Sequence, residues 1–215
     1  VLVIGYLDGV TFDNDSFAEP SVVRRAGEAI RRLHDGPRFT GTFDMFARQA
    51  GYLRTVQHQG FRLSDGYVDH DEAFHRAERA LAVNAPSPVP CNNDLLAGNF
   101  VDDGEQVWLI DYEYSGNNDA CFELGNTCTE CDFDDDQVEG LVAAYFGEAG
   151  RATLARTRLQ ALVSAYGWSL WGAIQASASE LEFDFDAWGL ERFEKAARGF
   201  TSSGFEGLLE DVARD

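Results

Sequence analysis

The chain has 215 residues, 45% of them hydrophobic and 13% aromatic, and its 37 acidic against 17 basic side chains give a formal net charge of −20. That apolar content excludes a disordered chain, and the length suffices for one good core or for one large lobe of a bigger enzyme. The charge argues against nucleic acid and anionic membrane surfaces as partners, and fits a cationic substrate.

No run of 18 or more apolar residues occurs in the sequence, so no membrane span is expected, and no basic leader with an apolar core signals secretion. The cysteines are Cys91, Cys121, Cys128 and Cys131. Only Cys128 and Cys131 form a C-x2-C, without the second pair or paired histidines of a zinc site. They are expected to be reduced and structural, in a cytoplasmic protein.

In chain order, Val1-Leu2-Val3-Ile4 is a β-type apolar run, followed by Leu7-Asp8-Gly9. Glu19-Pro20-Ser21 opens a helix with proline in its first turn. An apolar stripe of Val22, Val23, Ala26, Ile30 and Leu33 continues it to His34-Asp35-Gly36-Pro37. His34 is expected to cap or pack at that helix end. Residues 43–58 predict a second helix on Phe43, Phe46, Ala47, Ala50, Leu53 and Arg54. Residues 69–85 predict a third, with Phe74, Ala77 and Leu81 on its apolar face. His70 and His75, five apart, miss the i, i+4 spacing of a zinc pair and read as surface histidines. The proline-rich stretch Ala85–Pro90 cannot continue a helix, and reads as an extended connector within one lobe.

The chemistry is concentrated in residues 88–126. Asp94 stands five residues before Asn99, and the short apolar run Val107–Ile110 ends at Asp111, with Glu113 two further on. The run reads as a buried strand, and Asp102-Asp103-Gly104 before it as a hairpin turn. An Asp-x4-Asn loop followed by a hairpin ending in Asp suits phosphoryl transfer from ATP. One carboxylate orients the attacking hydroxyl and accepts its proton, while an amide oxygen and a second carboxylate hold magnesium. Asn117-Asn118-Asp119 then turns into a helix reaching residue 131, with Asn126 and Glu130 on one face. Acidic residues 132–136 precede a further helix, where negative side chains complement its N-terminal dipole. Residues 151–179 make the longest helix, in which Trp168 and Trp171, three apart, share a face.

These motifs resemble the choline/ethanolamine kinases and their aminoglycoside phosphotransferase relatives, where H-N-D-x4-N is followed by I-D-[FWY]-E-Y. The resemblance implies Asp94 as catalytic base with Asn99 in the catalytic loop, Asn99 and Asp111 as magnesium ligands, and Glu113 as support for the metal site. One departure is Asn92 in place of the motif's histidine. Glu123 matches the family's Asp before Gly-Asn, a position that fixes the loop through hydrogen bonds. "GWSLWGAIQ" and "EFDFDAWGLERFEKA" are similar to the family's C-terminal part, which implies Trp168, Trp171 and Tyr114 as aromatic walls around choline, with Glu130 as the nearby carboxylate. Cys131 stands where the family often has an aromatic ring, so ethanolamine or another amino alcohol stays open. "VLVIGYLDGVTF" resembles the family's hinge, with Asp8 on the nucleotide side.

The expected fold is the mainly α (α+β) C-terminal lobe of a protein-kinase-like enzyme, a helical body with a short β-hairpin. Residues 1–12 would be hinge and linker, and residues 13–215 the helical catalytic lobe. The only lysine is Lys195, and no glycine-rich phosphate loop occurs. The nucleotide-gripping lobe is therefore expected to lie outside a truncated chain that is inactive alone. The expected reaction transfers a phosphoryl group from ATP, with Mg2+, to choline or a related cationic amino alcohol. The alternatives are an aminoglycoside-type phosphotransferase and a non-catalytic amine-binding remnant. Oligomeric state is open.

Overall fold

The structure, a computed structural model, describes residues 5–214; the Val1–Ile4 run expected as hinge strand lies outside the described residues. The helical lobe expected over residues 13–215 is made of two compact units: Val1–Phe43 with Ser87–Gly150, and Asp44–Pro86 with Arg151–Asp215. The chain passes from the second unit back to the first at Pro86–Ser87, within the proline-rich stretch expected to be a connector inside one lobe. No helix of the described residues is long and apolar enough to cross a membrane.

The first unit is built on helix α1 (Pro20–His34), which starts with proline at its first position as the sequence predicts. It buries Val23, Ala26, Ala29 and Ile30 against α5 (Asp135–Phe146). Helix α5 is opened by a capping box between Asp134 and Gln137, with Asp135 and Asp136 in its first turn. Strand β1 (Val10–Thr11) pairs antiparallel with β3 (Phe100–Asp102), and β3 with β4 (Val107–Leu109). The β3–β4 turn follows from its aspartates. Asp102 accepts the Gly104 amide, Asp103 accepts those of Glu105 and Gln106, and Gly104 takes φ +91°. Arg25 of α1 grips the Asp102 carboxylate with both terminal nitrogens and holds its pKa below the usual carboxylate value. Strand β4 is half-buried rather than buried, because Trp108 keeps 39% of its surface exposed while its indole N–H donates to Asp103. A second pair, β2 (Val89–Cys91) with β5 (Gly116–Asn118), brackets the polar loop described below. Helix α4 (Ala120–Glu130) follows, capped by the Asp119 side chain.

The second unit holds α2 (Met45–Gln59), α3 (Asp71–Leu81), α6 (Arg151–Ala178), α7 (Phe185–Thr201) and α8 (Phe205–Asp211). Helices α7 and α8 were not expected from sequence. The long α6 is the spine on which the others pack, and α7 crosses it at paired glycines. A Cβ on Gly172 would sit 2.8 Å from the Gly189 Cα, so only glycine allows that approach. Tyr67 and Tyr166 stack at 4.2 Å and 11°, and each hydroxyl donates to the other's carbonyl oxygen at 3.1 and 2.8 Å. Burial of rings of this size is worth about 1.5–3 kcal/mol each, provided the hydroxyls are satisfied as they are here.

Three helix expectations shift. Helix α2 begins at Met45 because Asp44 caps it, accepting the Phe46 and Ala47 amides. Its buried face is Met45, Gln49 and Val56, with Phe46, Ala50 and Leu53 half-buried beside it, and Phe43 belongs to the first unit, against Phe122. Helix α3 keeps its predicted face of Phe74, Ala77 and Leu81, but spans 71–81 after a 3-10 turn over Tyr67–His70. His70 is no surface residue: its ring is half-buried against Phe193 and Phe200.

Candidate active site

The polar loop between β2 and β3 has its own architecture. Asn92 is fully buried, and its side chain does three jobs. Its Nδ2 donates to the carbonyl oxygens of Asp111 at 2.7 Å and Ile110 at 3.1 Å, while its Oδ1 accepts the Asp94 amide at 3.0 Å. Asn92, standing where the motif has histidine, therefore ties the Asp94 loop to the Asp111 turn. An imidazole has two ring nitrogens, whereas the amide offers two donor hydrogens and an acceptor oxygen in one plane.

Asn93, also fully buried, points its amide group the other way in the network. Its Nδ2 lies within 3.2 Å of the carbonyl oxygens of Cys91, Tyr114 and Gly116, and its Oδ1 accepts from Asn118 at 2.9 Å. Farther along, Asn99 donates from Nδ2 to the Asp94 carbonyl at 2.7 Å, and its own carbonyl accepts the Ile110 amide at 3.0 Å. Residues 92–99 and 110–116 are thus laced together along both edges.

The lacing holds a backbone that would not persist unaided. Asn93 and Asp111 take φ +70° and +59°, the left-handed region that costs a side-chain-bearing residue about 1 kcal/mol or more. Asparagine and aspartate pay least for that conformation, which accounts for their presence at these two corners. The consequence is chemical: Asp94 is part-buried on the loop, while Asp111 and Glu113 are exposed on the turn bonded to it.

Beneath the loop lies Glu123 of α4, fully buried. Its carboxylate accepts the Asn92 amide at 2.8 and 3.0 Å and the Asn93 amide at 2.8 Å. His34 Nε2 meets the same carboxylate at 2.7 Å, and its Nδ1 meets the Tyr145 hydroxyl at 2.7 Å. Cys91 Sγ lies 3.4 Å from His34 Nε2, and burial together with the Glu123 charge pushes its thiol well above the ordinary range, so it stays protonated. All four cysteines are buried.

Of the residues expected to form the site, Asp94, Asn99 and Asp111 stand on backbone segments that this lacing joins, with Glu113 on the same turn as Asp111. Tyr114 is part-buried there, its carbonyl held by Asn93, and Glu130 is buried at the end of α4. Asp8 is exposed on the rim of a cleft of about 660 Å³, shared with Gly9, Val10, Asp102 and Asp103. Trp168 and Trp171 belong to the second unit, edge to face at 6.4 Å. Trp168 keeps only 3% of its surface exposed and serves largely as core. Trp171 is half-buried and packs on Phe185 and Trp188 at 5.6 and 5.3 Å. Sequence reasoning missed the Asn93 clamp and the guanidinium of Arg192, which lies 3.5 Å above the Trp188 ring and already occupies that face. An N-N-D tripeptide was the only local signal for the clamp, since its partners other than the Cys91 carbonyl lie 21 to 25 residues away.

Residues 1–159 match the Phosphotransferase enzyme family. A crystal structure of a choline/ethanolamine kinase family protein from Mesorhizobium loti superposes with a TM-score of 0.90 at 33% identity, covering 97% of this chain and 73% of that one. The chain belongs to the choline/ethanolamine kinase family. Its helix-rich body with small sheets is that family's kinase-like fold. Among curated members, ethanolamine kinase 2 of Rattus norvegicus is 33% identical over 51% of this chain and 34% of its own length. Choline/ethanolamine kinase of the same species is 26% identical over 72% and 48%. The chain thus spans a third to a half of the curated family members it matches.

Proposed function

We propose that this chain carries the catalytic residues of a small-molecule kinase that moves the γ-phosphoryl of ATP to the hydroxyl of ethanolamine, choline or a related amino alcohol. The reading rests on one observation above all: the 2.7 Å bond from Asn92 to the Asp111 carbonyl, which fastens the loop of one carboxylate to the turn of another. In this reading Asp94 orients the acceptor hydroxyl and takes its proton as the oxygen bonds to phosphorus. Asn99 and Asp111, with Glu113 beside them, supply the hard oxygen donors that suit magnesium, so the residues present fit that ion. Bound Mg–ATP supplies the phosphoryl group and neutralises its charge. Asn92 and Asn93 hold loop and turn in register, so that no backbone reorganisation is required when the substrates arrive.

The acceptor is argued from chemistry. In this reading an aromatic ring attracts the cationic head group by about 0.5–2 kcal/mol, and the half-buried Trp171 is the candidate for that ring. The net charge of −20 favours the approach of a cation and disfavours an anionic acceptor. The family's curated members named above are kinases of ethanolamine and of choline.

The test is phosphorylation by the natural full-length protein of ethanolamine, choline and kanamycin side by side, with ATP and Mg2+. Turnover of either amino alcohol, with kcat/KM at least about a hundredfold above kanamycin, is the expected result. Preference for kanamycin would establish the aminoglycoside reading. Amine binding without any transfer would establish the remnant.

A further inference from the structure

Sequence reading treats His34 as a residue that caps or packs at a helix end, and Tyr145 only as part of the apolar face of the helix that follows residues 132–136. The structure joins them in a line of contacts that ends on the catalytic loop. Tyr145 Oη lies 2.7 Å from His34 Nδ1, His34 Nε2 lies 2.7 Å from Glu123 Oε2, and Glu123 accepts the amides of Asn92 and Asn93. Three helices, α1, α4 and α5, each contribute one member. The residues at 34, 123 and 145 have no local sequence relation.

We infer that Tyr145 is a positioning residue for the Asp94 loop, acting through His34 and Glu123. The argument is one of hydrogen-bond accounting. His34 and Glu123 are almost wholly buried, so neither can turn to water for a missing partner. A neutral imidazole carries its proton on one nitrogen, and the partner of the other nitrogen decides which. Burial keeps the Tyr145 phenol protonated, against the opposing pull of the nearby Arg31. The Glu123 carboxylate acts as an acceptor, so Nε2 is the ring nitrogen that donates to it, and the Tyr145 hydroxyl meets Nδ1 on the opposite side of the ring. The carboxylate is then fixed by His34 on one side and offers both oxygens to the loop amides on the other. Those amides flank the left-handed Asn93 and lead directly into Asp94. Removing one oxygen atom at Tyr145 loosens the line at its far end, without a cavity and without touching the loop.

The same cluster invites another reading, because His34 Nε2, Cys91 Sγ and a Glu123 oxygen lie within 4.8 Å of one another, as metal ligands can. Three backbone and imidazole contacts already claim the carboxylate, and the thiol is protonated, so the hydrogen-bonded line accounts for the cluster as it stands.

The inference rests on the kinase reading only where it speaks of turnover, and the experiment separates the two. Amide hydrogen exchange is measured on the protein and on Tyr145→Phe, alongside metal content and steady-state kinetics. The expected result is exchange at the Asn92 and Asn93 amides faster by about two- to tenfold, with amides of the second unit unchanged. In the active enzyme kcat falls by a similar factor while KM for the amino alcohol stays fixed. His34→Gln, which keeps an amide donor for Glu123, should lose less than His34→Ala. Unchanged exchange at 92 and 93 in Tyr145→Phe, unchanged kcat despite faster exchange, or stoichiometric zinc in the purified protein would each overturn the inference. An enzyme with no kinase activity would defeat the functional reading while leaving the exchange result to decide the relay.

Discussion

The polar loop of the first unit and the helical body of the second are held by different means. In the first, buried polar side chains gather around the loop: His34, Asn92, Asn93 and Glu123, each with hydrogen bonds to another segment. In the second, rings pack on rings, with Tyr67, Phe74 and Phe200 each against Tyr166, and glycines permitting close helix crossings. The difference follows from what each must hold. A helical body needs only area and volume, which apolar groups supply without direction. A loop with left-handed corners needs directional restraint at particular atoms, which only hydrogen bonds provide.

The contrast is sharpest under substitution. Glu123→Ala should have the largest effect, about 3–5 kcal/mol of lost stability in urea unfolding, because it strands two buried amides and a buried imidazole at once. A loss under 1 kcal/mol would mean that the polar network is decoration on an apolar core. Gly172→Ala should cost less, about 1–3 kcal/mol, since its methyl would overlap the Gly189 backbone and force α6 and α7 apart. Its turnover per folded molecule should fall less than that of Tyr145→Phe. The reverse order would break the division between a directional unit and a volumetric one.

Much of this was readable from the sequence where the cause is local. Pro20 and the stripe behind it fixed α1, Asp102-Asp103-Gly104 fixed the hairpin, and Asp134 with its neighbours fixed the start of α5. The spacing of Asp94, Asn99 and Asp111 pointed to a loop and a turn that the structure joins through Asn92. What stayed hidden depends on partners far along the chain. The amide of Asn93 is satisfied by residues 114 and 116, and His34 by residues 123 and 145, and no periodicity reports such pairings. The start of α2 was set by one cap residue, Asp44, and its buried face by packing partners elsewhere in the chain. Trp168 and Trp171 show that shared helical spacing fixes direction and leaves exposure open, for the first is core and the second half-exposed.

The proposal that two carboxylates on separate segments serve one metal–phosphate centre is tested most directly by manganese–nucleotide affinity, followed by electron paramagnetic resonance in the full-length enzyme and two variants. Asp111→Ala should weaken manganese binding at least about tenfold, whereas Asp94→Ala should leave it within about twofold and still cut turnover by about 10²–10⁴. Unchanged manganese affinity in Asp111→Ala, or near-normal turnover in Asp94→Ala, would contradict the account.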